Sequence, residues 1–546
     1  MIFQYKYKGF SQVQNTGSAT QMGFSPDAGR APTWFHGVLE NRLPFREAIS
    51  ALHHIVVSDL RAQPRDTSDY QRWLASQQEI WLAEFLQNQQ ADQEELQQLR
   101  TELSDITRTQ QQTMAPYYLA QREYFKHLYT KNRDWWMVLD PVISVHPDEI
   151  SFECFSLDES SYGRLACSHN VFQSMGDFSC GTTNIDYSAA LYQEFQKIRD
   201  YKQTELTIDP GGFSVETEAE SFREVKIDLP DSWVRGFLQV SSAMTMPAAE
   251  CDLHPMDLHN ILFHLKRKKE KVGPRSLRFH LKVGHPISVS IDPWNTVIEC
   301  PRSLYLGDKD QTIRIWGRKR LLTLERLLPV ATGVRLKLLG TGMPSFWEVQ
   351  MPEMTFTLGL SGWTANDWSS SANFDLLAPR AEVSADTVLR VCDQLRHDWV
   401  ASASDLSQRT GVSQAQVLSS LSVATQEGKV IYDGRQQLWR SRELSAEPLP
   451  LSSLRFQNPR EEAASALVSQ GAVQLDTPSD VAGTKHRLLT GTVTDGSKVY
   501  KPRVVIDEDE RIIDADCTCN TYQQHKLMQG PCEHILALRV AESRKT

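Results

Sequence analysis

The chain has 546 residues, of which 40% are hydrophobic and 23% charged, and its formal net charge is -10. This length exceeds what one hydrophobic core usually organises, so several domains are expected. The acidic balance excludes nucleic-acid binding through overall charge and leaves only a local basic patch for that role.

The sequence also bears on the cellular compartment. It has no run of about eighteen apolar residues, so it predicts no transmembrane helix and no membrane partner. The opening MIFQYKYKGFSQVQ lacks the apolar core of a secretory signal peptide. We therefore expect a cytoplasmic protein whose cysteines stay reduced.

Residues 1–135 are predicted to form a mostly helical N-terminal region. Within it, WFHGVLENRL has the composition of a strand and PFREAISALHHIVVSDLR that of an amphipathic helix. Further along, a 3-4-3 apolar spacing joins Leu96, Leu99, Leu103 and Ile106. This seam covers about two heptads, which favours a helical hairpin over a long coiled coil.

Residues 136–375 are predicted to form a β-rich α+β body. The segment WWMVLDPVISVHPDEISFECF has strand composition and places Ile150, Phe152 and Cys154 on one face. A helix is predicted near 188–201, and PMDLHNILFHLKRKKEK predicts another with Asp257 near its cap.

The densest basic run follows that last helix. Its cations, opposed only by Glu270, are Lys266, Arg267, Lys268, Lys269, Lys271, Arg275 and Arg278. The run is either a patch for anions or nucleic acid, or a solvated helix end whose cations complement the helix dipole. The second interpretation is favoured.

Residues 384–441 carry the pattern of a winged-helix unit. Three helices are predicted from ADTVLRVCDQLRHD, SASDLSQRTG and VSQAQVLSSLSVATQEG, and two strands from KVIYDGRQQLWRS. Gly411 stands where a tight turn is needed, Ser413 can cap the third helix, and Asp433-Gly434 is a hairpin-turn signal. Residues 445–459 are predicted to be a linker.

A winged helix raises the question of DNA binding. The third helix is expected to bury Val417, Leu418, Leu421 and Ala424 and to present Gln414, Gln416, Ser419 and Ser420 to solvent. Glutamine can read adenine, but phosphate contacts would depend on Arg409, Lys429, Arg435, Arg440 and Arg442. Because the exposed face has no Arg or Lys, a protein-docking or scaffold role is slightly favoured.

Residues 460–546 are predicted to form the last domain, which contains a metal-ligand pattern. The pattern is Cys517-x-Cys519, twelve residues, then Cys532-x-His534. Zinc prefers thiolate and imidazole ligands, and four protein ligands make a closed, structural site. A strand delivers the first pair, Gly530-Pro531 signals a turn, and a helix N-terminus favours thiolates at the second pair.

Two alternatives to this ligand set stay open. The cysteines could be buried small hydrophobes beside a surface histidine, or His525 could replace one ligand. The paired spacing and the flanking elements favour Cys517, Cys519, Cys532 and His534 as the ligands of one structural Zn²⁺.

The CxCx(n)CxH pattern, after a β-hairpin and before a short helix, resembles the SWIM zinc finger over about residues 485–545. FQSMGDFSCGTTNIDYS, MPSFWEV and TLGLSGWTANDWS resemble segments of large bacterial SWIM zinc-finger proteins. In that family the gene often neighbours a MoxR-type AAA ATPase and a von Willebrand A-domain protein. The resemblance therefore implies these proteins as candidate partners, and it implies either DNA binding or protein interaction for the finger.

Charge around the finger favours neither role strongly. Basic and acidic residues nearly balance over 485–546, whereas a phosphate-binding finger usually carries a stronger basic bias. Lys498, Lys501 and Arg503 could still form a basic stripe on one strand.

The chain is not expected to be an enzyme. It lacks a P-loop, a GxSxG elbow and an HExxH motif, and Gly340-Thr-Gly342 lacks the context of a dinucleotide site. The histidines are expected to be structural or at the surface: His53, His54, His254, His259 and His264. Trp363 and Trp368 are expected in a core or interface more than in a base-stacking platform.

Together these features predict an α+β multidomain protein. It has a helical and β-rich N-terminal body, a winged-helix unit and a C-terminal SWIM-type finger of β-meander plus short helix. The predicted function is a non-enzymatic zinc-binding interaction or adaptor module for protein partners. The alternative is a DNA-binding protein that uses the winged helix and the zinc finger.

Overall fold

The computed structural model describes most of the chain outside one long segment. The described residues are 12–15, 19–24, 26, 32–58, 141–184, 195–209, 231–268, 275–362, 367–369, 374–378, 383–444, 459–481, 483–507 and 511–543. The predicted seam from Leu96 to Ile106, Trp363 and nearly all of the linker 445–459 lie outside these ranges, as does half of the helix predicted at 188–201.

Strands β1 to β26 span Gln12–Asn15, Ala19–Phe24, Phe35–Leu39, Val142–Val145, Glu149–Phe155, Ser161–Ser168, Phe172–Met175, Gly181–Asn184, Gln203–Ile208, Ala249–Leu253, Ser276–Leu281, Pro286–Ile291, Thr296–Leu304, Gln311–Trp316, Gly333–Leu338, Ser345–Met351, Met354–Leu360, Val400–Ala401, Val430–Asp433, Leu438–Ser441, Val473–Leu475, Ser479–Asp480, Arg487–Asp495, Lys498–Tyr500, Arg503–Ile506 and Ile512–Asp516. Helices α1 to α9 span Arg42–Val56, Asp231–Met244, Pro255–Arg267, Ala385–Asp398, Ala403–Thr410, Gln414–Gln426, Pro459–Ser469, Asn520–His525 and Glu533–Ser543. Three 3-10 helices cover His169–Val171, Arg318–Val330 and Phe374–Leu377. None of the helices in the described ranges is long and apolar enough to cross a membrane.

An eight-stranded antiparallel sheet, in the order β10-β15-β16-β17-β6-β5-β4-β8, organises the body. Helix α1 packs on the face of β5 that carries Ile150, Phe152 and Cys154, which confirms that these three residues share one side. The opposite face receives α2, where Phe155 meets Phe237 with ring centroids 4.8 Å apart. Both faces are therefore buried.

A five-stranded sheet, β1-β2-β9-β3-β7, packs beside this body. It joins strands from residues 12–39 with β7 and β9, so it takes strands from both sides of the predicted boundary at 135. Within the described part of 1–135, the chain forms β1, β2, β3 and helix α1.

A four-stranded sheet, β13-β12-β11-β14, carries helix α3 against its edge strand β13. The side chain of His254 caps α3 by accepting from the Met256 amide. Asp257 lies near the cap as predicted, in the first turn, where it is buried and accepts hydrogen bonds from Arg302 N and Ser303 Oγ. These bonds tie the start of the helix to β13.

Residues 384–441 form three helices, α4 to α6, and a small sheet in the order β18-β20-β19. Gly411 ends α5 at φ 69°, and the Ser413 side chain caps α6, as predicted. The hairpin loop differs from the predicted Asp-Gly turn. It spans 434–437, because Asp433 accepts from the Arg435 and Gln436 amides and Gln437 takes the positive φ.

The C-terminal domain combines a sheet built on β21-β23-β25-β26 with helices α7 and α9, which pack on each other. Its small core contains Ala464, Val493, Leu536 and Ala537, and Leu376 from the body joins it. One predicted strand is split into β24 and β25, since Pro502 interrupts the ladder. Helix α8 was not predicted.

Candidate metal centre

Strand β26 and helix α8 position the first pair of sulfurs. Cys517 follows directly after the last residue of β26, and Cys519 is the N-cap of α8. The Cys519 Sγ accepts a hydrogen bond from the Tyr522 amide at 3.3 Å. Gln523 Nε2 donates to the Cys517 carbonyl at 2.6 Å. This short helix therefore fixes both cysteines at once.

A turn at Gly530 and the start of α9 position the second pair. Gly530 has φ 85°, a conformation that favours glycine. The Arg460 guanidinium, on α7, donates to the Gln529 carbonyl at 2.8 Å and holds the approach to Cys532. His534 lies in the first turn of α9, and the Tyr500 ring packs on its imidazole with centroids 4.1 Å apart.

The structure brings together all four predicted ligands. One ligand atom from each of Cys517, Cys519, Cys532 and His534 lies within 4.8 Å of every other. In a tetrahedral site with Zn–S bonds of about 2.3 Å, neighbouring sulfurs are about 3.8 Å apart. All four side chains are buried, with exposures of 3% or less. The alternative ligand His525 lies outside this cluster, on α8.

The chemistry of the cluster fits zinc. Both ring nitrogens of His534 are buried without a hydrogen-bond partner among the described residues, an arrangement that costs free energy unless an ion uses one of them. The carboxylate of Asp495 lies 3.6 Å from His534 Nε2. A bound Zn²⁺ would supply the charge that holds three thiolates and an imidazole together.

Proton sharing within the cluster prepares the sulfurs for a metal. A hydrogen bond with Cys532 lowers the pKa of Cys517 to about 4 and is the largest cause of the lowered pKa of Cys519, about 7. Burial opposes a charged His534, but its contacts with Cys517 and Cys519 raise its pKa to about 9. The same hydrogen bonds with Cys517 and Cys519 raise the pKa of Cys532 well above its usual value. Since the thiolate is the form that binds zinc, Cys532 must lose its proton when the metal binds.

The loop between the two pairs also touches the body of the protein. Gly342, at φ 80° in the turn between β15 and β16, leaves the space that Met528 occupies, because a Cβ there would overlap the Met528 thioether. Trp316 lines the same place. Arg511, at the start of β26, donates to the Thr245 carbonyl at the end of α2 at 3.0 Å. The finger is therefore docked on the body through its metal-binding loop.

The residues predicted to hold DNA phosphates lie elsewhere and are largely engaged. Arg440 is fully buried and binds both carboxylate oxygens of Asp148, at 2.7 and 3.0 Å. Arg442 is also fully buried and pairs with Glu153 at 2.9 Å. These two arginines are therefore not available for phosphate contacts, because hairpin β19–β20 packs them onto the acidic face of β5.

The solvent-exposed face of α6, which could contact DNA bases, is also smaller than predicted. Gln414 and Gln416 are exposed, but Ser419 and Ser420 are buried. Helix α6 packs on α4 and α5 within its own unit and on α2 outside it, which covers the middle of the helix. The sequence pattern could not show this, since α2 lies far away in the chain.

The other singled-out residues do not assemble into a second site. No second group of metal-binding side chains occurs within the ranges that the structure describes. His254 is a helix cap, and burial lowers the pKa of His53 to about 4. Trp368 is fully buried between Phe346 and Phe374, as expected for a core residue, and offers no stacking platform.

Comparison with known proteins identifies the metal-binding region. The family model of the SWIM zinc finger matches residues 503–538, which include all four ligands. The chain therefore contains a SWIM zinc finger whose Cys517, Cys519, Cys532 and His534 are consistent with one Zn²⁺. No curated protein matches the chain.

Solved structures show only weak similarity. Proliferating cellular nuclear antigen from Entamoeba histolytica aligns with a TM-score of 0.29 and 12% identity, over 41% of this chain and 89% of that one. The PCNA2-PCNA3 complex from Sulfolobus tokodaii gives a TM-score of 0.29 and 8% identity, over 42% and 91%. At these TM-scores the similarity does not establish a shared fold.

Proposed function

We propose that this chain is a non-enzymatic, cytoplasmic adaptor that binds protein partners and uses one Zn²⁺ as a structural element. The observation that carries the proposal is that the zinc finger and the predicted winged helix have few cations free to bind DNA phosphates. The metal ligands are buried, and Arg440 and Arg442 of the predicted winged helix form buried ion pairs.

The zinc site supports a structural role. Three thiolates and one imidazole complete a tetrahedral site, so no position is left for water or substrate. The ligands connect β26, α8 and α9, and the loop between them contacts Gly342 on the body. Zinc at this position would hold the finger's shape and its attachment, both of which a binding surface needs.

The three-helix unit supports protein docking over DNA reading. We assign it the winged-helix fold from its element order. A DNA-reading unit needs cations that reach phosphates, yet Arg440 and Arg442 are fully buried. Arg409 pairs with Asp398 at 2.6 Å, and Lys429 with Glu427 at 2.6 Å. Four of the five predicted phosphate contacts are thus engaged with carboxylates.

DNA binding stays the second candidate because of two exposed groups. Gln414 and Gln416 are exposed at the start of α6, and Lys498 and Lys501 are exposed on the finger. Arg503, the third member of the predicted basic stripe, pairs with Asp514 at 2.8 Å. The remaining two lysines give a weak phosphate surface.

Fluorescence anisotropy with labelled single- and double-stranded DNA separates the two functions. Even at low salt, near 20 mM, we expect no saturable binding below about 10 µM, since non-specific DNA binders reach about 10⁻⁴–10⁻⁶ M at physiological salt. Salt-dependent binding that the paired change Lys498→Glu and Lys501→Glu removes would overturn the proposal. Co-purification with the AAA ATPase or A-domain proteins implied by the family resemblance would support it.

A further inference from the structure

The end of helix α3 and the start of β13 form one exposed surface. Phe263 and Trp294 expose 45% and 38% of their surface. Lys268 Nζ donates to Thr296 Oγ1 and so joins the helix end to the strand. We name this the α3–β13 surface, defined by Phe263, Arg267, Lys268 and Trp294.

Its two cations are held in place by aromatic rings. The Arg267 guanidinium lies 4.7 Å from the centroid of the Phe263 ring, and Lys268 Nζ lies 5.6 Å from that of Trp294. Attraction between a cation and a ring face restrains the position of the charge. These side chains are therefore more ordered than the cations of an ordinary solvated helix end.

Lys266 and Arg278, two other cations of this basic run, pair with carboxylates, whereas Arg267 and Lys268 do not pair with any in the described residues. Lys266 pairs with Glu325 at 2.5 Å. Arg278 and Arg314 share the carboxylate of buried Asp292, at 3.2 and 3.0 Å. Neither Arg267 nor Lys268 pairs with any carboxylate in the part of the chain that the structure describes. A negatively charged partner could form ion pairs with both side chains.

The composition of the surface favours a protein as that partner. Met, Phe, Trp and Arg are enriched in protein–protein interfaces. Met256, half-exposed two turns before Phe263 along α3, extends the apolar part. A nucleic-acid backbone would require a longer row of cations, since dedicated binders make about 6–10 phosphate contacts. Two cations beside exposed apolar side chains match two carboxylates beside an apolar side chain.

We infer that the α3–β13 surface docks a peptide segment of a partner protein in which acidic residues flank large apolar ones. Carboxylates of the segment bind Arg267 and Lys268, and its apolar side chains cover Phe263 and Trp294. The inference rests on the proposed protein-binding function and states the chemistry of one partner.

The test uses the full-length zinc-loaded chain and a fluorescein-labelled peptide of glutamates flanking leucine and phenylalanine. Matched probes are the same peptide with glutamine for glutamate and a labelled single-stranded oligonucleotide of equal charge. We expect saturable, salt-sensitive binding of the glutamate peptide. The glutamine peptide should bind at least about tenfold more weakly, because apolar contact alone lacks the charge term.

The paired change Arg267→Glu and Lys268→Glu should raise the Kd of the glutamate peptide at least about tenfold. Trp294→Ala tests the apolar part separately and should also weaken binding. The matched control is Lys282→Glu with Lys309→Glu, two exposed lysines at the other end of the same sheet, which should leave the Kd unchanged. Zinc content checks that each variant is folded.

Three results would overturn the inference. The first is a peptide Kd that is unchanged by the paired change Arg267→Glu and Lys268→Glu. The second is tighter binding of the oligonucleotide at the same two residues, which would make the surface a nucleic-acid site. The third is sedimentation showing a wild-type dimer that the Arg267 and Lys268 variant dissociates, which would make a second copy the occupant. DNA binding that depends only on Lys498 and Lys501 would instead overturn the proposed function alone.

Discussion

The zinc finger and the interface between β5 and hairpin β19–β20 both bury polar groups, but they recruit them differently. The finger takes its four ligands from residues 517–534. At the interface, Arg440 and Arg442 meet Asp148 and Glu153 across 292 and 289 positions of sequence. The first arrangement is local and depends on a metal, whereas the second is long-range and depends on the whole body being folded.

The comparison shows two ways in which a protein can bury polar side chains: by binding a metal or by pairing opposite charges. A small domain such as the finger has few apolar side chains to bury, so a metal supplies much of its stability. The β5 interface lies in a large body, where Arg440, Arg442 and Glu153 are buried and Asp148 is partly exposed. There, charges stay buried because each finds an opposite charge or a hydrogen bond.

The largest effect is expected from Cys519→Ser. The change removes both a zinc ligand and the cap of α8, so zinc should fall from one ion per chain to near zero. A structural zinc contributes roughly 10 kcal/mol to a small domain, so residues 459–543 should become sensitive to protease. Cys180→Ser, a half-buried cysteine outside the cluster, should keep its zinc. Stoichiometric zinc in the Cys519 variant would refute the ligand set.

The next effect concerns the interface. Arg442→Met leaves Glu153 buried without its ion pair, which should lower the free energy of unfolding by about 3–5 kcal/mol. The matched control Arg409→Met removes an exposed pair in the same three-helix unit and should cost no more than about 1 kcal/mol. Urea denaturation of both variants measures the difference. Equal losses in the free energy of unfolding would show that the buried ion pair contributes no more than the exposed one.

The interface should also respond to pH through His146. Burial, followed by the charge of Arg440, lowers its pKa from 6.5 to about 3, and Nε2 lies 2.8 Å from the Ser441 carbonyl. Below pH 6.5 the unfolded chain binds a proton that the folded protein does not. His146 therefore stabilises the fold fully above pH 6.5, and this stabilisation declines toward pH 3 by about 1 kcal/mol per unit.

The comparison of His146→Gln with the wild type isolates this contribution from zinc loss in acid. Urea midpoints at several values between about pH 5 and 7 should fall more steeply with acid in the wild type than in the variant. Parallel slopes in the two proteins would mean that His146 does not titrate in this way.

The smallest effect should appear where the finger meets the body. Gly342→Ala strains a backbone at φ 80° and displaces Met528. Gly284→Ala strains a backbone at φ 74° with no neighbour within 4 Å. Each should cost about 1–2 kcal/mol, and only the first should increase proteolysis between body and finger. The same cleavage pattern in both would argue against docking through Met528.

The sequence predicted the zinc ligands, which are close together in the chain. It did not predict the contact between β5 and hairpin β19–β20, whose residues are far apart in the chain. The four ligands are readable because their spacing and the flanking strand and helix are local. The caps at Gly411 and Ser413 are readable for the same reason. Strand β5, EISFECF, alternates polar and apolar residues as a half-exposed strand does. Nothing in that pattern shows that Glu149 and Glu153 face arginines nearly three hundred residues away.

The same limit explains the misreading of α6. Its own sequence predicts which face packs inside the three-helix unit, and Val417, Leu421 and Ala424 are buried as expected. Ser419 and Ser420 are buried too, and α6 also contacts α2, an element of another part of the chain. Arginines in a predicted DNA-binding unit are equally ambiguous, since a phosphate and a buried carboxylate attract the same side chain.

Cys519 both ligates the metal site and caps α8, and this has a kinetic consequence. A helix of six residues does not nucleate by itself in water, and its first turn depends on the Tyr522 amide donating to the Cys519 sulfur. Metal capture and nucleation of α8 therefore become one event during folding. The rate at which the Tyr522 amide exchanges its hydrogen with solvent should report zinc occupancy, residue by residue, as the ion is withdrawn.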